Sequence, residues 1–196
     1  MFHVDADRYR LYARVVAKYG LSILLLASIG LNMWLSQELR ATRRKSQIGV
    51  SAGTLVPTMS GVTNTGEAAT IQLEAEVPTV FYYFSASCGW CERNWANVEA
   101  LVRQTYGRYR VIGIAASEEI PAAVIDQGIP LPILTSVDKD TLAAYGFLGT
   151  PQTVVVGPDG RVLTSWTGAY QGDQAKRVAK FFRVRLPGLS PKRPLR

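Results

Sequence analysis

Only two cysteines and one histidine occur among the 196 residues of this chain. Two cysteines are too few for a disulfide-stapled scaffold. The single histidine, His3, lies near the N-terminus, so a Ser-His-Asp triad or a His-built metal site has no histidine to use in the middle of the chain. Acidic residues are missing from one end: residues 181–196 hold five Lys/Arg and no Asp or Glu. Residues 1–45 hold eight Lys/Arg against three acids, whereas residues 46–180 hold nine against twelve. The net charge of +7 therefore belongs to the two ends, and the middle is mildly acidic. That distribution excludes a basic nucleic-acid groove on the folded part. No internal repeat is present. A hydrophobic content of 47% against 19% charged residues excludes disorder of the whole chain.

One stretch lacks charge altogether. Tyr19 to Gln37 is 19 residues bounded by Lys18 and Glu38. As a helix it would be roughly 28 Å long, close to the hydrocarbon thickness of a bilayer. Its centre, Leu21 to Ala27, is strongly apolar, and Trp34 stands where an interfacial aromatic would. The expectation is a transmembrane anchor over 19–37, preceded by a short cytoplasmic segment (1–18) and followed by a linker (38–52). A buried core helix and a cleaved signal peptide are the competing readings. No A-x-A-like site follows the run, and no cysteine stands nearby for lipidation. Charge does not orient the anchor: Arg8, Arg10, Arg14 and Lys18 on one flank balance Arg40, Arg43, Arg44 and Lys45 on the other.

After the linker the pattern predicts alternating strands and helices. Leu55–Val62 and Ala68–Leu73 read as strands around an Asn64-Thr65-Gly66 turn. Thr79–Phe84 is continuously β-branched and aromatic, as in a strand buried on both faces. Cys91 to Gln104 carries the helical stripe Trp95, Val98, Leu101, Val102. Arg110–Ala115 reads as a second buried strand, Pro121–Gln127 as a short helix, Ile133–Ser136 as a strand and Asp138–Tyr145 as a helix ended by Gly146. Thr153–Val156 and Arg161–Trp166 flank the turn Gly157-Pro158-Asp159-Gly160, and Gly172–Phe182 closes the domain as a helix. Residues 183–196, with three prolines and no periodicity, are expected to form a basic, disordered tail. This order predicts an α/β domain with a mixed sheet and helices on both faces.

Both cysteines fall in one motif, Ser87-Cys88-Gly89-Trp90-Cys91, between a predicted buried strand and a predicted helix. That context gives a C-x-x-C its redox meaning. Cys88 at the helix start meets free backbone N–H groups and the positive end of the helix dipole, which favour a thiolate, the attacking species in disulfide exchange. Cys91, one turn inside, is the candidate resolving thiol. Zinc wants four ligands, leaving at most a zinc-bridged dimer or a transient copper site; a purely structural bridge over so short a loop adds little stability.

Two segments carry a resemblance to a known family. Thr79 to Cys91, Thr-Val-Phe-Tyr-Tyr-Phe-Ser-Ala-Ser-Cys-Gly-Trp-Cys, resembles the active-site strand and helix start of thioredoxin-fold proteins. Tyr145 to Val156, followed by Gly157 to Gly160, resembles their cis-proline loop, strand and hairpin. The extra N-terminal hairpin with Pro57 and Gly66, and the long stretch between Ala115 and Tyr145, point to the membrane-anchored TlpA-like branch. The resemblance covers about residues 53–182 and implies a thioredoxin-like domain there. It implies Cys88 as nucleophile, Cys91 as resolving cysteine, Pro151 as the cis-proline facing the disulfide, and Thr150 as the residue whose backbone pairs with substrate. Trp90, between the cysteines, is a candidate partner contact or a local shield over the sulfurs.

The sequence also departs from the family. Tyr82 stands where thioredoxin has a buried Asp, Asn94 where a carboxylate is common, Ala96 where a proline kinks the helix, and Ser87 where Trp is usual. Glu92 is adjacent but reads as part of a solvated helix face. The group that moves the proton of Cys91 is thus left unassigned.

The expected function is that of a single-pass enzyme of a bacterial inner membrane, its catalytic domain in the periplasm. It would reduce disulfides of extracytoplasmic proteins and be recharged by a membrane electron donor. No cofactor or metal is expected beyond the Cys88–Cys91 pair. A thiol oxidase or isomerase, and a non-enzymatic metal- or partner-binding module, are the alternative readings.

Overall fold

The computed structural model describes residues 18–20, 22–37, 49–121, 124 and 128–191. The segment before Lys18, residues 38–48 of the linker and most of the helix expected at Pro121–Gln127 lie outside the described residues. The chain divides into two units after Gln47.

The first unit contains helix α1, Lys18–Gln37, with a mean hydropathy of 1.5. None of its most apolar window is buried, and Leu24, Leu26 and Met33 are each more than half exposed. Twenty helical residues span about 30 Å, so α1 is long and apolar enough to cross a membrane.

The second unit is built on one seven-stranded mixed sheet. Its strands are β1 (Met59–Thr63), β2 (Ala68–Ile71), β3 (Thr79–Phe84), β4 (Arg110–Ala115), β5 (Ile133–Thr135), β6 (Gln152–Val156) and β7 (Val162–Thr167). Their order across the sheet is β2-β1-β5-β4-β3-β6-β7. The β3–β4 and β4–β5 pairs are parallel, while β1–β2, β1–β5, β3–β6 and β6–β7 are antiparallel. The helices are α2 (Gly89–Thr105), α3 (Lys139–Ala144) and α4 (Gly172–Phe182). The predicted β3, β4 and α4 carry the observed limits, and the other described elements shift by a few residues. The largest shift is at Leu55, which forms an isolated bridge to Arg161 instead of opening β1.

β3 explains the layering. All six of its residues are buried. Val80, Tyr82 and Phe84 point into one core with Trp95, Val98 and Leu101 of α2 and Val178 and Phe182 of α4. Phe81 and Tyr83 point into a second core with Met59, Ile112, Tyr145, Phe147 and Val154, against which Leu142 of α3 packs. Each large apolar side chain so buried contributes about 1.5–3 kcal/mol. The aromatic rings interlock at edges and faces: Phe84 and Trp95 lie 5.1 Å apart at 76°, and Tyr83 and Phe147 stack at 4.8 Å.

Two segments at the borders differ from the sequence expectation. Residues 49–52, expected as linker, belong to the domain. Val50 O accepts a hydrogen bond from Ser165 Oγ at 2.8 Å, and Gly53 N donates to Val162 O at 2.7 Å. Residues 183–190, expected to be disordered, pack back onto α2. Val184 is buried, Leu186 lies against the core, and Gln104 Nε2 donates to Arg185 O at 2.8 Å. Pro187, Arg183 and Arg185 disguise this segment, because its anchors are backbone groups and two apolar side chains, Val184 and Leu186.

Where the entering chain meets the domain, Gly146 is required. It follows the C-cap of α3, with φ at +67°; Gly146 N donates to Ala143 O and Phe147 N to Leu142 O, closing the helix as a Schellman motif. A Cβ on Gly146 would lie 2.6 Å from Gly49 C and Val50 N. The preceding Tyr145 is buried and donates from its hydroxyl to Pro57 O at 2.7 Å. Burial holds its phenol protonated beyond the usual tyrosine range.

Gly146→Ala is expected to destabilise the domain by about 1–3 kcal/mol from backbone strain alone, with the clash adding to it. Urea denaturation measures this, and an unchanged midpoint contradicts it. For Tyr145 the sign follows from the raised pKa. The folded state keeps a proton that the unfolded chain releases near pH 10, so the stabilisation is present below about pH 10 and is lost as pH rises above it. Tyr145→Phe should therefore cost about 1 kcal/mol at pH 8, with the gap to the parent closing in denaturation curves above pH 10. A gap that stays constant to pH 11 contradicts the assignment.

Candidate active site

The end of β3 leads through Ser85-Ala86-Ser87 into α2. Ser85 Oγ accepts from Ser87 N, and Cys88 N donates to Ser85 O, so the chain turns sharply into the helix. Cys88 is the N-cap of α2, with extended backbone dihedrals, and its Sγ accepts a hydrogen bond from Cys91 N at 3.1 Å. Cys88 and Cys91 are joined in a disulfide, with Cα atoms 5.2 Å apart. Cys88 is half-buried, whereas Cys91 is completely buried against Trp95 and the β3 aromatics. The sulfur that meets solvent is thus the one at the helix N-terminus, where the unpaired N–H groups and helix dipole favour negative charge.

Trp90 lies between the two cysteines and is 47% exposed. The guanidinium carbon of Arg93 sits 4.9 Å from its ring centroid, a cation–π contact on the surface of α2. Glu92 is half-buried rather than standing on a fully solvated face.

The second part of the site comes from the start of β6. Tyr83 of β3 pairs with Gln152 of β6, and this register brings the Thr150–Pro151 loop to the same end of the sheet as the turn into Cys88. The Thr150–Pro151 peptide bond is cis; Pro151 is buried and Thr150 half-buried. Gln152 shapes this loop. Its Oε1 accepts from Leu148 N at 2.9 Å and Gly149 N at 3.1 Å, while Nε2 donates to Gly146 O at 3.0 Å. One buried amide therefore ties down three backbone groups ahead of Pro151. Leu148, in the same loop, is 73% exposed.

Beneath the disulfide the structure places a neutral polar network. Asn94 Nδ2 donates to the Tyr82 hydroxyl at 3.2 Å. Asn94 Oδ1 accepts from Asn97 Nδ2 at 2.9 Å and from Tyr170 N at 3.0 Å. Tyr170 in turn shares a 2.6 Å hydrogen bond between its hydroxyl and Thr153 Oγ1. All five side chains are buried. Burial pushes both phenols well above the usual range, with Tyr170 adding to the effect at Tyr82 and the hydrogen bond from Asn94 opposing it. Tyr82 and Asn94 are the two positions where the sequence departs from the acidic family pattern, and they are bonded to each other. An amide and a phenol satisfy one another without the cost of burying an unpaired charge.

The structure adds Asn97, Gln152, Thr153 and Tyr170 to the residues singled out from sequence. Asn94 and Asn97 had left a signal, two amides on the apolar stripe of α2. Tyr170 left none, since it reaches the site from 76 residues away. Among the described residues no group of three or more His, Cys, Asp or Glu is placed to hold a metal ion.

No protein-family profile matches this chain, and no curated protein matches it in sequence. Solved structures do. The thioredoxin domain of a thiol-disulfide oxidoreductase from Bacteroides vulgatus is 17% identical, with a TM-score of 0.54 over 68% of this chain and 99% of that one. A thioredoxin-family thiol:disulfide interchange protein from Chlorobium tepidum is 21% identical, with a TM-score of 0.50 over 67% of this chain and 97% of that one. A DsbF homologue from Corynebacterium diphtheriae is 16% identical, with a TM-score of 0.53 over 69% and 88%. The mixed sheet, its flanking helices and these likenesses together establish a thioredoxin-like α/β fold.

Proposed function

We propose that this protein is a membrane-tethered thiol–disulfide oxidoreductase that reduces disulfides of extracytoplasmic substrate proteins. The observation that carries the reading is the Cys88–Cys91 disulfide at the N-terminus of α2, one sulfur reaching solvent and the other buried. The likeness to a thiol-disulfide oxidoreductase domain and to a thiol:disulfide interchange protein adds support, and the apolar α1 supports the tether.

The chemistry proceeds from the reduced pair. The Cys88 thiolate attacks one sulfur of a substrate disulfide, forming a mixed disulfide and releasing the other substrate sulfur as a thiolate that takes up a proton. Cys91 then loses its proton, attacks Cys88 Sγ and expels the second substrate thiol. The Cys88–Cys91 bond is re-formed, and two electrons have passed to the substrate. Cys91 N, which donates to Cys88 Sγ, is positioned to stabilise the thiolate as attacker and as leaving group. The polar network offers only amides, hydroxyls and phenols held protonated, so it supplies no carboxylate to take the Cys91 proton. A membrane electron donor restores the dithiol. Thr150 and Pro151 are the surface on which substrate backbone is received, and Trp90 the flanking contact.

Cys88→Ser should reduce insulin-disulfide reduction by dithiothreitol to the uncatalysed rate. Cys91→Ser should instead accumulate mixed disulfides, seen as reducible high-mass bands after thiol trapping; a single band would sink the mechanism. The direction of electron flow is read by the reduction potential of the pair. A reductant requires a value below about −230 mV, and a value near −180 mV or higher makes the protein an oxidant or isomerase instead.

A further inference from the structure

The segment after α4 reaches the active-site end of α2. Arg183 adopts a left-handed conformation, φ 55°, and turns the chain back after Phe182. Residues 184–190 then form a strap that runs antiparallel to α2 and is pinned at three levels. Arg185 N donates to Gln104 Oε1 at 2.9 Å near the C-terminus of the helix. Gly188 N donates to Asn97 Oδ1 at 2.9 Å in the middle. Ser190 N donates to Arg93 O at 2.8 Å, and Arg93 Nε donates to Ser190 O at 3.1 Å, one turn from the cysteines. The strap thus ends on the residue whose guanidinium lies over Trp90.

An isolated surface arginine samples many rotamers, and holding it costs side-chain entropy. Here the reciprocal pair with Ser190 removes that freedom in advance. The guanidinium plane is held beside the indole, and the indole stands between the two cysteines while still 47% exposed. Trp90 belongs to the first turn of α2 and carries the Arg93 guanidinium against its ring. Arg93 is the link between this ring and the strap.

We propose that Arg93, locked by the C-terminal strap at Ser190, is a positioning residue that fixes Trp90 as a rigid lip for polypeptide substrates. The proposal rests on the thiol–disulfide reading and assigns the strap a place in substrate recognition. A fixed indole offers a large apolar face at little further entropic cost to binding, whereas a loose one must be ordered by each substrate. A disulfide too small to reach beyond the sulfurs makes no use of the lip.

The test compares a polypeptide disulfide, insulin, with a small one, hydroxyethyl disulfide, on the full chain. Two variants loosen the lip by separate routes: Arg93→Ala removes the cation, and Ser190→Pro removes the N–H that anchors the strap while leaving Arg93 in place. Both should raise KM for insulin by about two- to fivefold, the fold-change of a cation–π contact at an exposed site, with kcat held. For Ser190→Pro, kcat/KM for the small disulfide should stay at the parent value. Far-ultraviolet circular dichroism and the urea midpoint check that each variant is folded. An unchanged KM for insulin in folded variants overturns the proposal. So does an equal loss on both substrates, which would mean that the strap acts on the sulfurs. Failure of the underlying reading looks different, since the parent protein would then be inactive on both substrates.

Discussion

The burial of β3 on both faces is the constraint on which the rest of the domain depends. A six-residue strand with every side chain buried must be paired on both edges and covered on both sides. Parallel β4 and antiparallel β6 satisfy the edges, α2 and α4 cover one face, and the second core with β1 and α3 covers the other. The functional geometry follows. The end of β3 hands the chain directly to Cys88, and the antiparallel partner β6 necessarily begins at that same end, bringing Thr150 and Pro151 with it.

The disulfide sits at an electrostatic boundary. Above it are the N-terminus of α2 and solvent, both favourable to a thiolate. Below it lie aromatic rings and a closed network of amides, hydroxyls and phenols. The Tyr82–Asn94 pair satisfies its polar atoms without placing a charge at that point of the core, and among the described residues no buried side-chain polar atom lacks a partner. The same network extends through Asn97 to the strap, so the helix carrying the cysteines is tied to β3, to the segment before α4 and to the end of the described chain.

Local patterns made much of this legible. Continuous β-branched and aromatic residues marked β3 and β4, because strands buried on both faces lose the polar alternation. Gly146 marked the end of α3 because a left-handed C-cap favours glycine. The C-x-x-C between a strand and a helix marked the redox pair, because its spacing is a property of one helical turn. Less legible was the tail. Residues 183–190 bear a proline, two arginines and no periodicity, which read as disorder, yet Val184 and Leu186 find the core and the backbone finds Gln104, Asn97 and Arg93. Amides on a helix reveal that they want partners but not which backbone will supply them.

What the sequence determined alone was short-range: the apolar run of α1, the buried strands, the placement of Cys88 at a helix start, and the separation of basic ends from a mildly acidic middle. These depend on residues within a turn or a strand of one another. Tertiary structure decided which distant groups complete the site. The partner of Asn94 at Tyr170 lies 76 residues away, and that of Arg93 at Ser190 lies 97 residues away. Hydrogen-bond donors and acceptors are common along any chain, so only the packing that brings two of them within about 3 Å selects the pair.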